Sequence, residues 1–231
     1  MAFKMSVQKY SGKISEVEIG TGEKSIKIGG ESTLPFCSFD GDTGNTQKVG
    51  IEMLDVYPEG WINEFKEIYK DVCDCPVKWA KYIEENLQPD FICLKLESCD
   101  PNGLDRSPEE CSEVVKNVVE SVSLPVVIAG CGNHEKDAKV FEKVAQVVDG
   151  NNCLFLAATE DNYKTVGAAS TMAYSHKVAA ESSVDINLAK QLNVLLTQLG
   201  VKPENIVMNV GYSSVGYGFE YVASTMDIEL Q

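Results

Sequence analysis

Acid and amide side chains follow most of the apolar runs in this sequence, at the points where a strand would end and a turn begin. The set comprises Asp55, Glu97, Asp100, Asn102, Asn133, Glu160, Asp161, Asn162, Glu181 and Asn209. Such groups suit a neutral heterocycle or an amide-bearing ligand better than a phosphate. Turn formation and helix capping explain any single one of them better than a binding role does. Their repetition after successive strands makes a ligand site an equally good interpretation of the whole set.

The two histidines are poorly placed for catalysis. His134 falls in the first turn of a predicted helix beside Glu135, where we expect it to be solvated. His176 opens a predicted strand, away from the polar strand ends. Neither lies in a Cys or Asp pattern typical of a nucleophilic triad. Glu97 and Glu160 could face each other as a pair of carboxylates, so acid–base chemistry stays open, although no spacing requires it.

The eight cysteines do not form a recognisable metal motif. They lie at positions 37, 73, 75, 93, 99, 111, 131 and 153. Only Cys73 and Cys75 are close in sequence, and no second close pair completes a four-ligand site. We therefore expect small buried or helix-surface thiols in a reducing, anaerobic cytosol, and no metal ligands.

Six strand-and-helix units account for most of the chain. Short apolar runs predict strands at 49–56, 91–96, 126–129, 153–158, 176–181 and 205–210. Helical periodicity predicts helices at 61–87 (interrupted near Pro76), from 107, from 134, at 164–175, at 185–199 and from 215. Ser107, Pro108 and Glu110 are typical of a capped helix start. Residues 124–162 form one complete strand–helix–strand unit.

Strict alternation of strands and helices predicts a parallel sheet with right-handed crossovers. The two solutions are a closed (β/α)8 TIM barrel and an open doubly wound sheet. No glycine-rich nucleotide motif follows any strand, which favours the barrel. A barrel needs about eight units, and six are present, so we expect its C-terminal units to be missing from this chain. We predict an N-terminal hairpin and loop extension over 1–46, with a hairpin at 14–28, and an incomplete barrel over 47–231.

The charge balance excludes several classes of partner. The formal net charge is −15, which argues against nucleic acid and anionic membrane surfaces. No apolar run approaches the roughly 20 residues of a membrane span, and the N-terminus lacks the apolar core of a signal peptide. The sequence therefore predicts a cytoplasmic protein.

Seven segments, taken in order, carry a family resemblance. They are LPFCSFDG, VGIEMLDVYPEGW, DFICLKLESCDPNG, LPVVIAGCGNHEKDAKVFEKVAQ, NCLFLAATEDNYK, AAESSVDINLAKQLN and IVMNVGYSSVGYGFEY. The chain resembles the small subunit of the corrinoid iron–sulfur protein, whose archaeal counterpart is the delta subunit of the acetyl-CoA decarbonylase/synthase complex. The resemblance runs from about Lys24 onward, and family members continue beyond the last residue of this chain.

The resemblance implies a non-catalytic role for this chain. It implies a barrel akin to pterin-binding methyltransferase barrels, paired as a heterodimer with a large corrinoid iron–sulfur subunit. That partner would hold the iron–sulfur cluster and most contacts to the cobamide, a cobalamin-type corrinoid, while this chain covers the corrinoid. The heterodimer would take a methyl group from a methyltetrahydrofolate methyltransferase and pass it to acetyl-CoA synthase/CO dehydrogenase. This is the methyl branch of the reductive acetyl-CoA (Wood–Ljungdahl) pathway of carbon dioxide fixation.

Position at the strand ends, rather than a family motif, selects the candidate corrinoid contacts. They are Asp100, Asn102, Asn133, Thr159, Glu160, Asp161 and Asn209, with no catalytic or metal-ligating residue predicted. The alternative is a pterin-dependent methyltransferase with the same barrel, in which four of the same residues would bind the pterin. Those four are Asp100, Asn133, Asp161 and Asn209. A third possibility is a barrel whose mouth has lost its role and whose outer surface binds partners.

Overall fold

The computed structural model describes residues 12–229, which form eight strands and seven α-helices. The strands are β1 Val17–Ile19, β2 Ile26–Ile28, β3 Gly50–Leu54, β4 Phe91–Lys95, β5 Val126–Ala129, β6 Leu154–Ala158, β7 Lys177–Glu181 and β8 Ile206–Asn209. The helices are α1 Asn63–Tyr69, α2 Pro76–Tyr82, α3 Pro108–Ser121, α4 His134–Val147, α5 Tyr163–Val166, α6 Ile186–Leu199 and α7 Phe219–Glu229. Wider π-type turns extend α2 over Ile83–Leu87 and α5 over Gly167–Ala173. All six strands predicted for the main sheet are present.

The main sheet is parallel, and its strands pair in the order of the sequence, from β3 to β8. A doubly wound sheet reverses its strand order at a switch point, and this sheet does not. Within residues 12–229, however, β3 and β8 do not pair with each other, so the sheet is open. The predicted α/β class is confirmed, whereas a closed TIM barrel is not. Closure requires strand number and stagger to match around the whole circle, and six strands leave both edges free.

The two faces of the sheet pack against different partners because side chains alternate along each strand. One face packs on the helices through Ile92, Leu94 and Phe155, which are all fully buried. The other, inner face carries a smaller apolar cluster that includes Cys93 and Val127. This division explains why the strand sequences are apolar throughout their middles.

The predicted N-terminal hairpin is confirmed as β1 paired with β2, and it covers the amino end of the inner face. Val17, Ile19 and Ile26 are the hairpin's buried side chains. The side chain of Asn152, which precedes β6, donates hydrogen bonds to the carbonyls of Glu18 at 2.8 Å and of Gly20 at 3.0 Å. The hairpin is thus joined to the strand starts by both apolar contact and hydrogen bonds.

A close approach at the start of β3 requires glycine. A Cβ atom added to Gly50 would lie 2.2 Å from the ring of Phe91, its register partner on β4. Any side chain there would displace the aromatic ring from the inner face. The glycine therefore leaves room for the Phe91 ring against the inner apolar cluster.

The start of the final helix differs from its prediction. The final helix was predicted from Val215 but begins at Phe219. Gly216 and Gly218 adopt left-handed backbone angles (φ +79° and +107°), which hold a turn and delay the helix. None of the helices within residues 12–229 combines the length and the apolar character that crossing a bilayer demands.

Candidate functional site

The loops after β5 and β6 meet at the carboxyl edge of the sheet. Asn133 ends the first loop, and its Oδ1 accepts a hydrogen bond from the Lys136 backbone nitrogen at 3.0 Å, which caps α4. The adjacent His134 lies 3.4 Å from Thr159 Oγ1 through Nδ1 and 3.9 Å from Asp161 Oδ2 through Nε2. Since β5 and β6 are neighbours, the chain brings these two polar segments into one depression. We call Asn133, His134, Thr159 and Asp161 the rim cluster.

The loop after β6 is held rigid by a buried amide. Asn162 is 5% exposed, and its Oδ1 accepts hydrogen bonds from the backbone nitrogen of Thr159 at 2.8 Å and from its hydroxyl at 3.3 Å. Asn162 therefore builds the turn, as the capping explanation of the sequence expects. Asp161 is 68% exposed and Glu160 is exposed, so both are free to reach a ligand above the edge.

The loop after β4 forms a separate cleft. Asp100 Oδ1 accepts hydrogen bonds from the backbone nitrogen of Asn102 at 2.8 Å and from its amide at 3.2 Å, so this pair closes a local turn. Asp100 lines the cleft together with Glu97 and Arg106. Asn102 is exposed. The predicted residues after β4 therefore do not share the depression of the rim cluster.

Asn209, the last residue of β8, connects two loops rather than facing the rim cluster. Its Oδ1 accepts a hydrogen bond from the Gly211 backbone nitrogen at 3.1 Å, and its carbonyl accepts one from the Ser182 backbone nitrogen at 3.0 Å. Of the seven predicted contacts, Asn133, Thr159 and Asp161 thus come together and Glu160 adjoins them. Asp100, Asn102 and Asn209 lie elsewhere along the edge.

The rim cluster can bind a polar ligand edge. An amide, an imidazole and a carboxylate line an open depression, and the Thr159 hydroxyl adjoins it beside His134, so both hydrogen-bond donors and acceptors are present. Asn133 Nδ2 donates no hydrogen bond to any residue in 12–229, so it is available to a ligand. His134 was expected to be solvated, and its side chain is 44% exposed, although it also contacts the β6 loop. No local signal in the sequence indicated this contact, because it depends on the pairing of β5 with β6.

The family model described as the CO dehydrogenase/acetyl-CoA synthase delta subunit matches residues 16–228 of this chain. The chain belongs to this family. The acetyl-CoA decarbonylase/synthase complex subunit delta of Methanocaldococcus jannaschii is 34% identical over 95% of this chain and 55% of the relative. Subunit delta 1 of Methanosarcina thermophila is 32% identical over 96% of this chain and 52% of the relative. The chain therefore spans about half the length of the curated relatives it matches.

A charged group on the inner face of this delta-family chain was not predicted from the sequence. Lys95 ends β4, and its Nζ lies 2.8 Å from Glu97 Oε2. The hydrogen bond and charge of Glu97 raise the pKa of Lys95, so the ammonium form is held at neutral pH. Glu52, on β3, adds to the same effect. The alternation of β4 placed Lys95 on the face of Cys93, and this was the signal that could have found the pair.

A buried carboxylate also connects the end of β3 to the loop after β4. Asp55 follows β3, is 3% exposed, and accepts hydrogen bonds from the backbone nitrogen and the hydroxyl of Ser98, the former at 3.0 Å. Burial raises the pKa of Asp55, although the hydrogen bonds from Ser98 act in the opposite direction. Asp55 therefore fixes the start of the β4 loop and is not exposed to a ligand at the edge.

Proposed function

We propose that this chain is the delta-type subunit of a methyl-transferring complex and that its rim cluster covers a corrinoid held by a larger partner subunit. The match to the delta-subunit family over residues 16–228 is the observation that carries the proposal. The partner would be the large corrinoid iron–sulfur subunit, in a cytoplasmic heterodimer. Methyl groups would come from a methyltetrahydrofolate methyltransferase and leave to acetyl-CoA synthase/CO dehydrogenase, as in the Wood–Ljungdahl pathway.

The residues of the rim cluster fit the edge of a corrinoid. Cobamide edges carry amide groups, which need donors for their oxygens and acceptors for their nitrogens. Asn133 Nδ2 is an available donor, and the mostly exposed Asp161 carboxylate is an available acceptor. Thr159 offers a hydroxyl beside His134. When bound, the corrinoid supplies the metal that carries the methyl group, and the role of this chain is to orient the corrinoid edge and exclude water above it.

The proposal includes completion of a (β/α)8 barrel around the inner face. Sequential parallel pairing from β3 to β8 is the arrangement of such barrels. Further strands would pair with the free edges of β3 and β8. We also propose that residues 1–46 and 47–231 act as extension and barrel. The hairpin of the extension covers the amino end, which leaves the carboxyl end as the binding end.

Affinity purification from the native anaerobic source tests this proposal. A tagged chain should co-purify with a larger subunit whose complex shows corrinoid and iron–sulfur absorption bands. Binding of methyltetrahydrofolate by the isolated chain, without a corrinoid partner, would contradict the proposal and support the pterin-dependent methyltransferase. The separation of Asp100, Asn133 and Asn209 along the edge weighs against that alternative.

A further inference from the structure

Three cysteines and an aspartate gather behind the loops at the carboxyl ends of β4 and β5. Cys99 ends the short turn after β4, and Cys131 lies in the turn after β5. Asp137 lies on α4, and Cys111 lies on α3. Cys99 and Cys111 are fully buried, Asp137 is 5% exposed and Cys131 is half-buried. We call these four residues the thiol cluster.

The distances within the thiol cluster suit a shared metal ion. One ligand atom from each of Cys99, Cys131 and Asp137 lies within 4.8 Å of the others. Cys131 Sγ is 3.2 Å from Asp137 Oδ1, and Cys99 Sγ is 3.9 Å from the same oxygen. In a tetrahedral zinc site, bond lengths of about 2.0–2.3 Å place neighbouring ligand atoms roughly 3.4–3.8 Å apart. Small side-chain movements would therefore complete the geometry.

The carboxylate is held in place by the backbone. Asp137 accepts hydrogen bonds from the backbone nitrogen of Cys131 at 2.9 Å and from that of Gly132 at 3.0 Å. A Cβ atom added to Gly130 would lie 2.3 Å from the Asp137 carboxyl carbon, so only glycine permits this approach. A carboxylate has about four acceptor positions, so these two bonds leave room for a cation. Backbone donors that orient a ligand in this way are common around metal sites.

Cys111 is the nearest candidate for a fourth ligand. Its thiol lies 3.6 Å from the hydroxyl of Ser98, the residue directly before Cys99. Sulfur ligands favour Zn²⁺ and related soft cations over Mg²⁺ and Ca²⁺. Cys131 is the member of the cluster nearest to solvent, and it gives an ion a route of entry.

We propose that Cys99, Cys131 and Asp137, with Cys111 as the fourth ligand, bind a thiophilic divalent cation such as Zn²⁺. The site would join the β4 loop, the β5 loop and helices α3 and α4 into one unit. Binding displaces the thiol protons of the cysteines to solvent, and no electron is transferred. The proposal rests on these side chains alone and does not depend on the corrinoid.

Titration of the reduced, metal-free chain with Cd²⁺ under anaerobic conditions tests the site. The thiolate-to-cadmium charge-transfer band in the ultraviolet should report a saturable tight site. Cys131→Ser should weaken Cd²⁺ binding by at least about 100-fold, since loss of even a supporting group costs about 10–100-fold. Cys99→Ala should do the same, and near-ultraviolet circular dichroism of each variant shows whether it has folded.

The matched control is a Cys37→Ser, Cys75→Ser double variant, which removes two partly exposed thiols outside the thiol cluster. It should keep the tight site. Loss of the band in this control, or unchanged binding in folded Cys131→Ser, would overturn the proposal. The proposal would also be overturned if the reduced chain bound no Cd²⁺ and oxidised dithiothreitol formed a disulfide between Cys99 and Cys131.

Discussion

The amino and carboxyl ends of the inner sheet face are built from opposite kinds of side chain. At the amino end, Ile19 of the hairpin is 2% exposed and packs in the apolar cluster that includes Val127 and Leu154. At the carboxyl end, the same strands finish in Lys95 and the polar loops. Along β4 the change takes two residues, from buried Cys93 to the charged pair.

The amino end of this fold contributes mainly to stability, and the carboxyl end is the end suited to binding. Residues at the amino end bury apolar area and have their polar groups paired within the chain, so their replacement should cost stability. Residues of the rim cluster are exposed or half-buried and keep unused hydrogen-bonding groups. Their replacement should cost binding and leave stability nearly unchanged, except where it removes the capping oxygen of Asn133.

The largest effect on stability is expected from Ile19→Ala in the hairpin. Truncating a fully buried isoleucine removes apolar contact and leaves a cavity, which costs about 2–5 kcal/mol of unfolding free energy. Urea denaturation followed by circular dichroism measures it. A change below about 1 kcal/mol, the range of an average point mutation, would mean that the hairpin does not stabilise the amino end.

His176, just before β7, should make the amino end sensitive to pH. Its Nδ1 accepts a hydrogen bond from the Cys153 backbone nitrogen at 3.2 Å, and its Nε2 lies 3.0 Å from the Ala145 carbonyl. Burial lowers the pKa of His176 in the folded chain, so folding favours the neutral ring. This stability is present above the ordinary histidine pKa of about 6.5 and is lost as the pH falls through the folded value, by up to ~1.4 kcal/mol per pH unit.

Unfolding free energies measured between pH 7 and pH 5 test this linkage. His176→Gln should reduce the dependence of the unfolding free energy on pH. The control His134→Gln should retain the part of that dependence that comes from His176. Glu229 acts with the opposite sign, because burial raises its pKa to about 7 and its protonated form is favoured on folding. The difference between the wild-type and His176→Gln slopes therefore isolates the imidazole. Identical slopes would contradict a buried neutral ring.

At the carboxyl end, two variants of Asn133 distinguish its capping role from its binding role. Asn133→Ala removes the cap of α4 and should cost roughly 1 kcal/mol, while Asn133→Ser retains a capping oxygen and should cost much less. Both variants lose the amide donor. Thermal denaturation reports the cap, and corrinoid retention in the heterodimer reports the donor. Equal stability of the two variants would show that the cap contributes nothing.

The smallest effect is expected from Lys95→Met. The side chains of Lys95 and Glu97 are 35% and 41% exposed, so their ion pair is screened by solvent and should contribute about 0–1 kcal/mol. The matched comparison is Ile19→Ala on the same face of the sheet. A loss as large as that of Ile19→Ala would contradict the division between the two ends.

The spacing of apolar residues predicted the strands and helices because buried positions recur with the period of each strand or helix. Val126–Ala129 is buried at every position, as a continuous apolar run between turn residues indicates. Asn133 caps α4, as its place before a helical pattern predicted. The strand ends, and therefore the candidate contacts, followed from the same pattern.

Sequence could not predict which strand ends meet. The contact of His134 with Thr159 depends on the pairing of β5 with β6, and the thiol cluster depends on the pairing of β4 with β5. The only close cysteine pair in the sequence was uninformative, since Cys73 is buried in the helix-side core. Pairing between the edge strands β3 and β8 likewise depends on the strand number and stagger of the whole sheet, about which the local pattern carries no information.

The corrinoid spectrum and affinity of the heterodimer with Asp161→Ala and Asn133→Ser test the central claim most directly. Asp149→Ala, an exposed acid beyond the far end of α4, is the control for charge. We predict that the rim variants loosen the bound corrinoid or shift its absorption bands while the unfolding free energy stays near that of the wild type. The control should leave both unchanged. Unaltered corrinoid affinity and spectrum in folded rim variants would contradict the assignment of the rim cluster as the cover.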